Sequence, residues 1–127
     1  MADRIKLGRE GEERAVLYLK NNGYRIIERN FKNKLGEIDV IARQKDVICF
    51  VEVRSRQGDL SHGDALESVG PLKQRRLSKL AVSFLKTRDL WGQKARFDVV
   101  SVSLSDCRDS VVLIKDAFPV DARYSLQ

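Results

Sequence analysis

The stretch from Val47 to Ser55 constrains this chain more than any other. Its side chains follow the period of two of a β-strand, so Val47, Cys49, Val51 and Val53 share one face and Ile48, Phe50, Glu52 and Arg54 the other. The second face begins apolar and then turns acidic and basic. A carboxylate at a position the period assigns to packing needs a partner, because an unpaired buried charge is costly.

The flanking segments place this strand in a sheet. Helical spacing runs from Glu10 to Asn22, with Ala15, Val16 and Leu19 on one face and Asn21-Asn22-Gly23 as a stop. Tyr24 to Phe31 and Leu35 to Arg43 read as two further strands, with Asn33-Lys34 and Gln44-Lys45 in the turns, so the three strands form an antiparallel meander. A polar loop from Arg56 to Gly70 leads to Pro71, which opens a helix to about Arg88, and Ala95 to Leu104 and Ser110 to Phe118 are the last strands. The order αβββαββ predicts an α/β or α+β domain with helices packed on a mixed sheet. At 127 residues, 43% hydrophobic and 33% charged, residues 1 to 127 make one domain.

The acids converge. Advancing 100° per residue places Glu12 among Val16, Ala15 and Leu19, facing inward, whereas Glu10 and Glu13 point elsewhere. Its partner is to be a cation, a metal or several donors, or it serves as an acid that favours a helix start. If Gln44-Lys45 is a two-residue hairpin loop, Asp39 falls opposite Phe50 and Glu37 opposite Glu52. Asp39 and Glu52 are then diagonal neighbours on one face, roughly 7–8 Å apart at the backbone. Two carboxylates so placed suit a hard divalent ion such as Mg²⁺, or serve as ordinary salt-bridge partners. Arg54, two residues beyond Glu52, lies where charge would grow during attack on a phosphodiester.

The net charge of +6 is concentrated. Between Pro71 and Arg96, eight cations face one acid, Asp89, a balance of +7 that leaves −1 for the rest of the chain. Arg75, Arg76, Lys79 and Lys86 share the outer side of the predicted helix, which suits either a solvated face or phosphate contacts. Lys73 lies instead at the angle of Leu77, Leu80 and Phe84, facing inward.

Other classes are disfavoured. Gly8-Arg-Glu-Gly11 lacks the spacing of a P-loop or a dinucleotide fingerprint. The opening residues have no apolar h-region and no stretch approaches the roughly 18 apolar residues of a membrane span, so a soluble, cytoplasmic protein without membrane partners is expected. Cys49 and Cys107 read as reduced thiols, Cys49 in the core. His62, in a polar loop, is a weak candidate ligand. Asp98 falls on the face opposite Phe97 and Val99, supporting the site or facing water, and Trp91 reads as a core edge more than as a base-stacking platform.

Asp39, a 13-residue step to Glu52 and then Val53-Arg54, preceded by a helix carrying Glu12, resembles the PD-(D/E)xK nuclease signature. More closely, Gly8-Arg-Glu-Gly11-Glu12, Gly36-Glu37-Ile38-Asp39, Phe50-Val51-Glu52-Val53-Arg54 and Arg96-Phe97-Asp98-Val99-Val100 resemble the YraN-type family of small bacterial proteins, over about residues 5 to 104. The resemblance implies a restriction-endonuclease-like α/β fold, similar to archaeal Holliday junction resolvases. It also implies that Glu12 matches the helix-one acid and Asp39 and Glu52 the two metal ligands.

One position departs from that pattern, because Arg54 stands where the motif usually has lysine. Arginine supplies fixed positive charge but cannot accept a proton, so Lys73 becomes the candidate substitute. The leading expectation is Mg²⁺- or Mn²⁺-dependent hydrolysis of DNA, at branched or otherwise structured sites. Asp39 and Glu52 would hold the metal with help from Glu12, Arg54 and Lys73 would stabilise phosphate charge, and Arg75, Arg76 and Lys79 would contact the strand. The alternatives are a nucleic-acid-binding module that has lost turnover and a protein-interaction factor. A two-fold substrate would favour a homodimer.

Overall fold

A computed structural model describes residues 2–57, 69–105 and 109–119. The elements run α1 (Ala2–Asn21), β1 (Arg25–Asn33), β2 (Gly36–Gln44), β3 (Val47–Gln57), α2 (Pro71–Thr87), β4 (Ala95–Leu104) and β5 (Ser110–Phe118). The strands form one sheet in sequence order, antiparallel except where β4 pairs parallel with β3. A parallel neighbour needs a crossover, and α2 supplies it. The αβββαββ order and the mixed sheet are therefore as the sequence predicts. His62 and Cys107 lie outside the described residues, and no described helix is long and apolar enough to cross a membrane.

Each sheet face carries its own core. Ile48 and Phe50 of β3 pack with Phe97 and Val99 of β4 under Leu77, Leu80, Ala81 and Phe84 of α2. Cys49 and Val51 pack with Val40, Ala42, Val100 and Val102 under Ala15, Val16 and Leu19 of α1. A strand buried on both sides reads as a near-continuous apolar run, which is why Val47–Val53 is so apolar. All five phenylalanines lie in the α2-side layer, linked by ring contacts from Phe31 through Phe84, Phe50 and Phe97 to Phe118.

Two expectations are corrected. Helix α1 begins at Ala2, eight residues before Glu10, because its first turns carry too few apolar residues to display a packing period. The β2–β3 turn is Lys45-Asp46, one residue later than expected, with Lys45 in the left-handed region at φ 54°. The register shifts by two, so Ile41 faces Phe50 and Val40 faces Val51, and Glu37 does not lie opposite Glu52. Glu37 pairs instead with Lys32 at 3.5 Å.

Helix α1 meets β3 with no side chain between them at Gly11. A Cβ there would sit 1.7 Å from Ser55 Oγ and 2.6 Å from Ser55 Cβ. Helix propensity alone favours alanine over glycine by about 1 kcal/mol, whereas overpacking of this kind costs about 1–3 kcal/mol. Gly11→Ala is accordingly expected to lower stability by up to about 2 kcal/mol in denaturant unfolding, and Ser55→Gly in the same chain to recover part of the loss. A more stable Gly11→Ala protein would contradict this close approach.

Candidate active site

The site forms where β2 and β3 part. Their paired register ends at Val40–Val51, and beyond it Asp39 Oδ2 accepts a hydrogen bond from the Val53 N–H at 2.8 Å. Strict alternation also breaks here. Ile38 and Ile41 both join the α2-side core, while Val40 and Ala42 join the other, so Asp39 does not simply share the Glu52 face. Asp39 lines a cleft of about 570 Å³ with Gly8, Arg9 and Glu12 of α1 and Val53, Arg54 and Ser55 of β3.

Glu52 is 5% exposed and bridges the two sides of the sheet chemically. Lys73, in the first turn of α2, forms an ion pair with Glu52 Oε2, and the Arg54 guanidinium lies 3.7 Å from the same oxygen. The carboxyls of Asp39 and Glu52 interact. Burial pushes the Asp39 carboxyl up to about 8, helped by hydrogen bonding and charge from Glu52 and by the charge of Glu12, and opposed by the Val53 N–H. The sequence expectation that Asp39, Glu52, Arg54 and Lys73 converge thus describes one physical cluster.

Glu12 also faces inward, with its side chain 17% exposed, but its partners are protein groups. Arg29 Nε and Nη2 donate to Oε1 at 3.2 and 3.0 Å, and Asn30 Nδ2 donates to it at 3.2 Å. Arg29 is held from the other side by Glu13 at 2.6 Å. Asn30 sits at φ 56°, a left-handed conformation that asparagine tolerates better than most residues. Among the described residues, no three His, Cys, Asp or Glu side chains gather in a metal-holding group. Asp39 and Glu52 are the two carboxyls that interact directly, and Glu12 adds its charge to Asp39 from the cleft wall.

The remaining candidates are distributed differently. Arg75, Arg76 and Lys79 lie on the outer side of α2, as expected. Asp98 neither faces water nor lines the cleft. It is fully buried, accepting from Tyr24 Oη and Arg96 Nε, each at 2.9 Å, and from the Asp116 N–H at 2.9 Å. Burial and the Asp98 charge hold the Tyr24 phenol well above its ordinary range. Burial also pushes the nearby Cys49 thiol up to about 11, which makes it an inert core thiol. Trp91, read as a core edge, is 42% exposed.

Sequence reasoning missed Arg29, Asn30, Gly11 and Ser101. Arg29 and Asn30 follow a register shift between Ile26 and Glu28 that no local pattern announces. The Gly8-Arg-Glu-Gly11-Glu12 motif did contain a signal for Gly11. Ser101, the register partner of Arg54, has a buried hydroxyl with no hydrogen-bond partner among the described residues.

A five-stranded mixed sheet with a helix on each face and a carboxylate pair where two strands part defines an α/β domain of restriction-endonuclease-like architecture. Comparison with known proteins agrees with the motifs. The model of the uncharacterised protein family UPF0102 matches residues 11–102, and the chain belongs to that family. A UPF0102 protein of Syntrophus aciditrophicus (strain SB) is 48% identical over 118 residues, covering 93% of this chain and 92% of that protein. One from Persephonella marina (strain DSM 14350 / EX-H1) is 44% identical, covering 90% and 94%. Another from Myxococcus xanthus (strain DK1622) is 44% identical, covering 92% of each.

The raised Asp39 carboxyl has a consequence for stability. An unfolded aspartate titrates at about 3.9, so between there and about 8 the folded chain binds the extra proton and stability declines as pH rises. The side-chain amide of an Asp39→Asn variant can still accept from the Val53 N–H but has no charge to bury. The melting temperature of that variant, relative to the parent, is expected to rise progressively from about pH 4 to about pH 8. A difference independent of pH would show that Asp39 is not held protonated.

Proposed function

We propose that this protein is a divalent-metal-dependent nuclease that hydrolyses DNA phosphodiesters. The observation that carries the reading is the meeting of Asp39, which lines a cleft, with the buried Glu52 beside it, and the direction of both Lys73 and Arg54 at Glu52. Two carboxylates with open neighbouring space fit the oxygen-donor preference of Mg²⁺ or Mn²⁺. Held by Asp39 and Glu52, such an ion would supply an activated water and polarise a phosphoryl oxygen.

The chain's own groups divide the remaining work. Arg54 lines the cleft and offers a fixed charge with forked donors for a phosphate. Lys73 pairs with Glu52 and is 37% exposed, so its ammonium reaches both the carboxylate and solvent. Were Glu52 to hold an ion, the Lys73 ammonium would be able to turn from the carboxylate to a phosphate. Glu12, restrained by Arg29 and Asn30, lines the cleft wall and helps to raise the Asp39 carboxyl. The cations Arg75, Arg76 and Lys79 on the outer side of α2 suit contacts to a phosphate backbone.

A second reading has its own support. The anchoring of Glu12 by Arg29 leaves only two carboxylates for a metal, and Arg54 replaces the motif lysine. Both features suit a nucleic-acid-binding module of the same fold without turnover.

Cleavage of duplex, single-stranded, flap and four-way-junction DNA with Mg²⁺, Mn²⁺ or chelator separates the two. The nuclease yields metal-dependent products that Asp39→Ala abolishes, whereas a binder retains affinity in chelator and makes no new ends. Arg54→Lys is expected to retain cleavage within about tenfold, or about 1.4 kcal/mol of barrier, and Lys73→Ala to lose it sharply while DNA binding persists. Absence of cleavage by the parent, Arg54→Lys and Lys73→Ala proteins on every substrate would overturn the nuclease reading.

Neutralising Arg75, Arg76 and Lys79 together is expected to weaken binding to all DNA sequences alike and to flatten its dependence on salt. Unchanged affinity in a salt titration would reduce this face to a solvated surface.

A further inference from the structure

The outer side of α2 carries its cations in a line that ends on an aromatic ring. Arg75, Lys79 and Lys86 are separated by four and seven residues, so their side chains project within about 40° of one another. The Lys86 ammonium lies 5.3 Å from the centroid of the Trp91 ring, in the turn after the helix. Trp91 is 42% exposed, an unusual condition for the largest apolar side chain in a protein with a well-filled core. Beside it opens a cavity of about 270 Å³ whose walls include Phe50, Ala81, Leu85 and Ala95.

The rim of this cavity is basic. Lys86 stands over the ring, and Arg43 donates to Gln93, a lining residue, at 3.0 Å. Lys94 lies next to Gln93, paired at 3.3 Å with Asp46 on the neighbouring turn. The other acids near this end are Asp89, in the turn before Trp91, and Glu28, which Arg88 occupies. None of the residues that line the cavity is acidic. Lys73, at the Glu52 end of α2, and Lys86, at the Trp91 end, are thirteen residues apart, about 20 Å along the helix.

We propose that Trp91 and its cavity form a second nucleic-acid subsite, which stacks an unpaired base of a strand whose phosphates follow Arg75, Lys79 and Lys86. This inference rests on the nucleic-acid part of the proposed function and is independent of turnover. A cationic track ending in an aromatic face is what an unpaired strand requires, since its phosphates need charge and every base offers a π-face. The ligand has both parts, an anionic backbone and a flat apolar ring, and so does the site. A second copy of this chain is a poorer occupant, because two basic rims would repel. A base buried inside duplex DNA cannot reach the ring, so the preferred strand is single or carries an unpaired overhang.

Trp91 is the only tryptophan, which makes its emission a direct report on this site. Full-length protein in chelator is titrated with an oligothymidylate, with an abasic strand of equal length and charge, and with blunt duplex. Saturable quenching by the oligothymidylate, and much weaker quenching by the other two, is the expected result. Trp91→Ala is expected to weaken oligothymidylate binding about tenfold, measured by anisotropy of a labelled strand, and to leave abasic-strand affinity unchanged. Trp91→Phe retains a stacking face and should lie between, which guards against a loss caused by misfolding.

Equal quenching by base-bearing and abasic strands, or an oligothymidylate affinity that Trp91→Ala leaves unchanged, overturns base stacking while leaving backbone binding by α2 intact. Binding of no strand at all overturns both this subsite and the nucleic-acid reading. Metal-dependent cleavage with unaltered Trp91 emission rejects the subsite alone.

Discussion

Everything at the candidate site depends on where β2 stops pairing with β3. An antiparallel ladder that continued past Val40–Val51 would set Asp39 directly against Glu52, two carboxylates on adjacent backbones with no space between them. The strands part instead, and the Asp39 side chain accepts from the Val53 N–H. The buried donor thereby gains an acceptor. That same hydrogen bond keeps the carboxyl in the lining of the cleft formed with α1, and the close approach of α1 is in turn permitted by the absence of a side chain at Gly11.

Charge is then distributed so that neither carboxylate is isolated. Glu52, the more buried of the two, has Lys73 and Arg54. Asp39 has no cation among its strongest influences, and burial together with Glu52 pushes its carboxyl up. Glu12 is paired from β1 with Arg29, which Glu13 also holds. Elements from both sheet faces therefore contribute to one electrostatic unit, which is a reason for the domain to carry a helix on each side. The Tyr24–Asp98–Arg96 network is a separate solution to the same problem, because its polar groups satisfy one another within the protein.

Much of this was legible in the sequence. Period-two alternation in Val47–Ser55 and the apolar faces of the two helices specify the elements, because burial repeats at the spacing of the backbone. Inward placement of Glu12 and Lys73 followed from angle alone. The register of β2 against β3 did not, since it depends on which residues form the turn, and Lys45 adopts a left-handed conformation usually filled by glycine or asparagine. Asp39 and Glu52 still meet, although Glu37 was misplaced, because β2 leaves the ladder and its strict alternation just before Val40. Arg29 and Asn30 were invisible for a different reason: a bulge in β1 aims them at Glu12, and bulges have no hydrophobic signature.

The exchange of lysine for arginine at position 54 is best understood through Lys73. A lysine in the first turn of a helix meets the positive end of the helix dipole and is disfavoured unless an anion lies close. Glu52 is that anion, and it is nearly buried, so the pair is held by the cost of leaving either partner alone. Arg54 needs no such enclosure. It keeps its charge in any environment and lies 39% exposed along the cleft, where forked donors are more useful than a titratable amine. With a cation from each of two elements directed at one carboxylate, the fixed charge and the titratable amine are divided between two side chains. The strand position can then be arginine without removing the amine from the site.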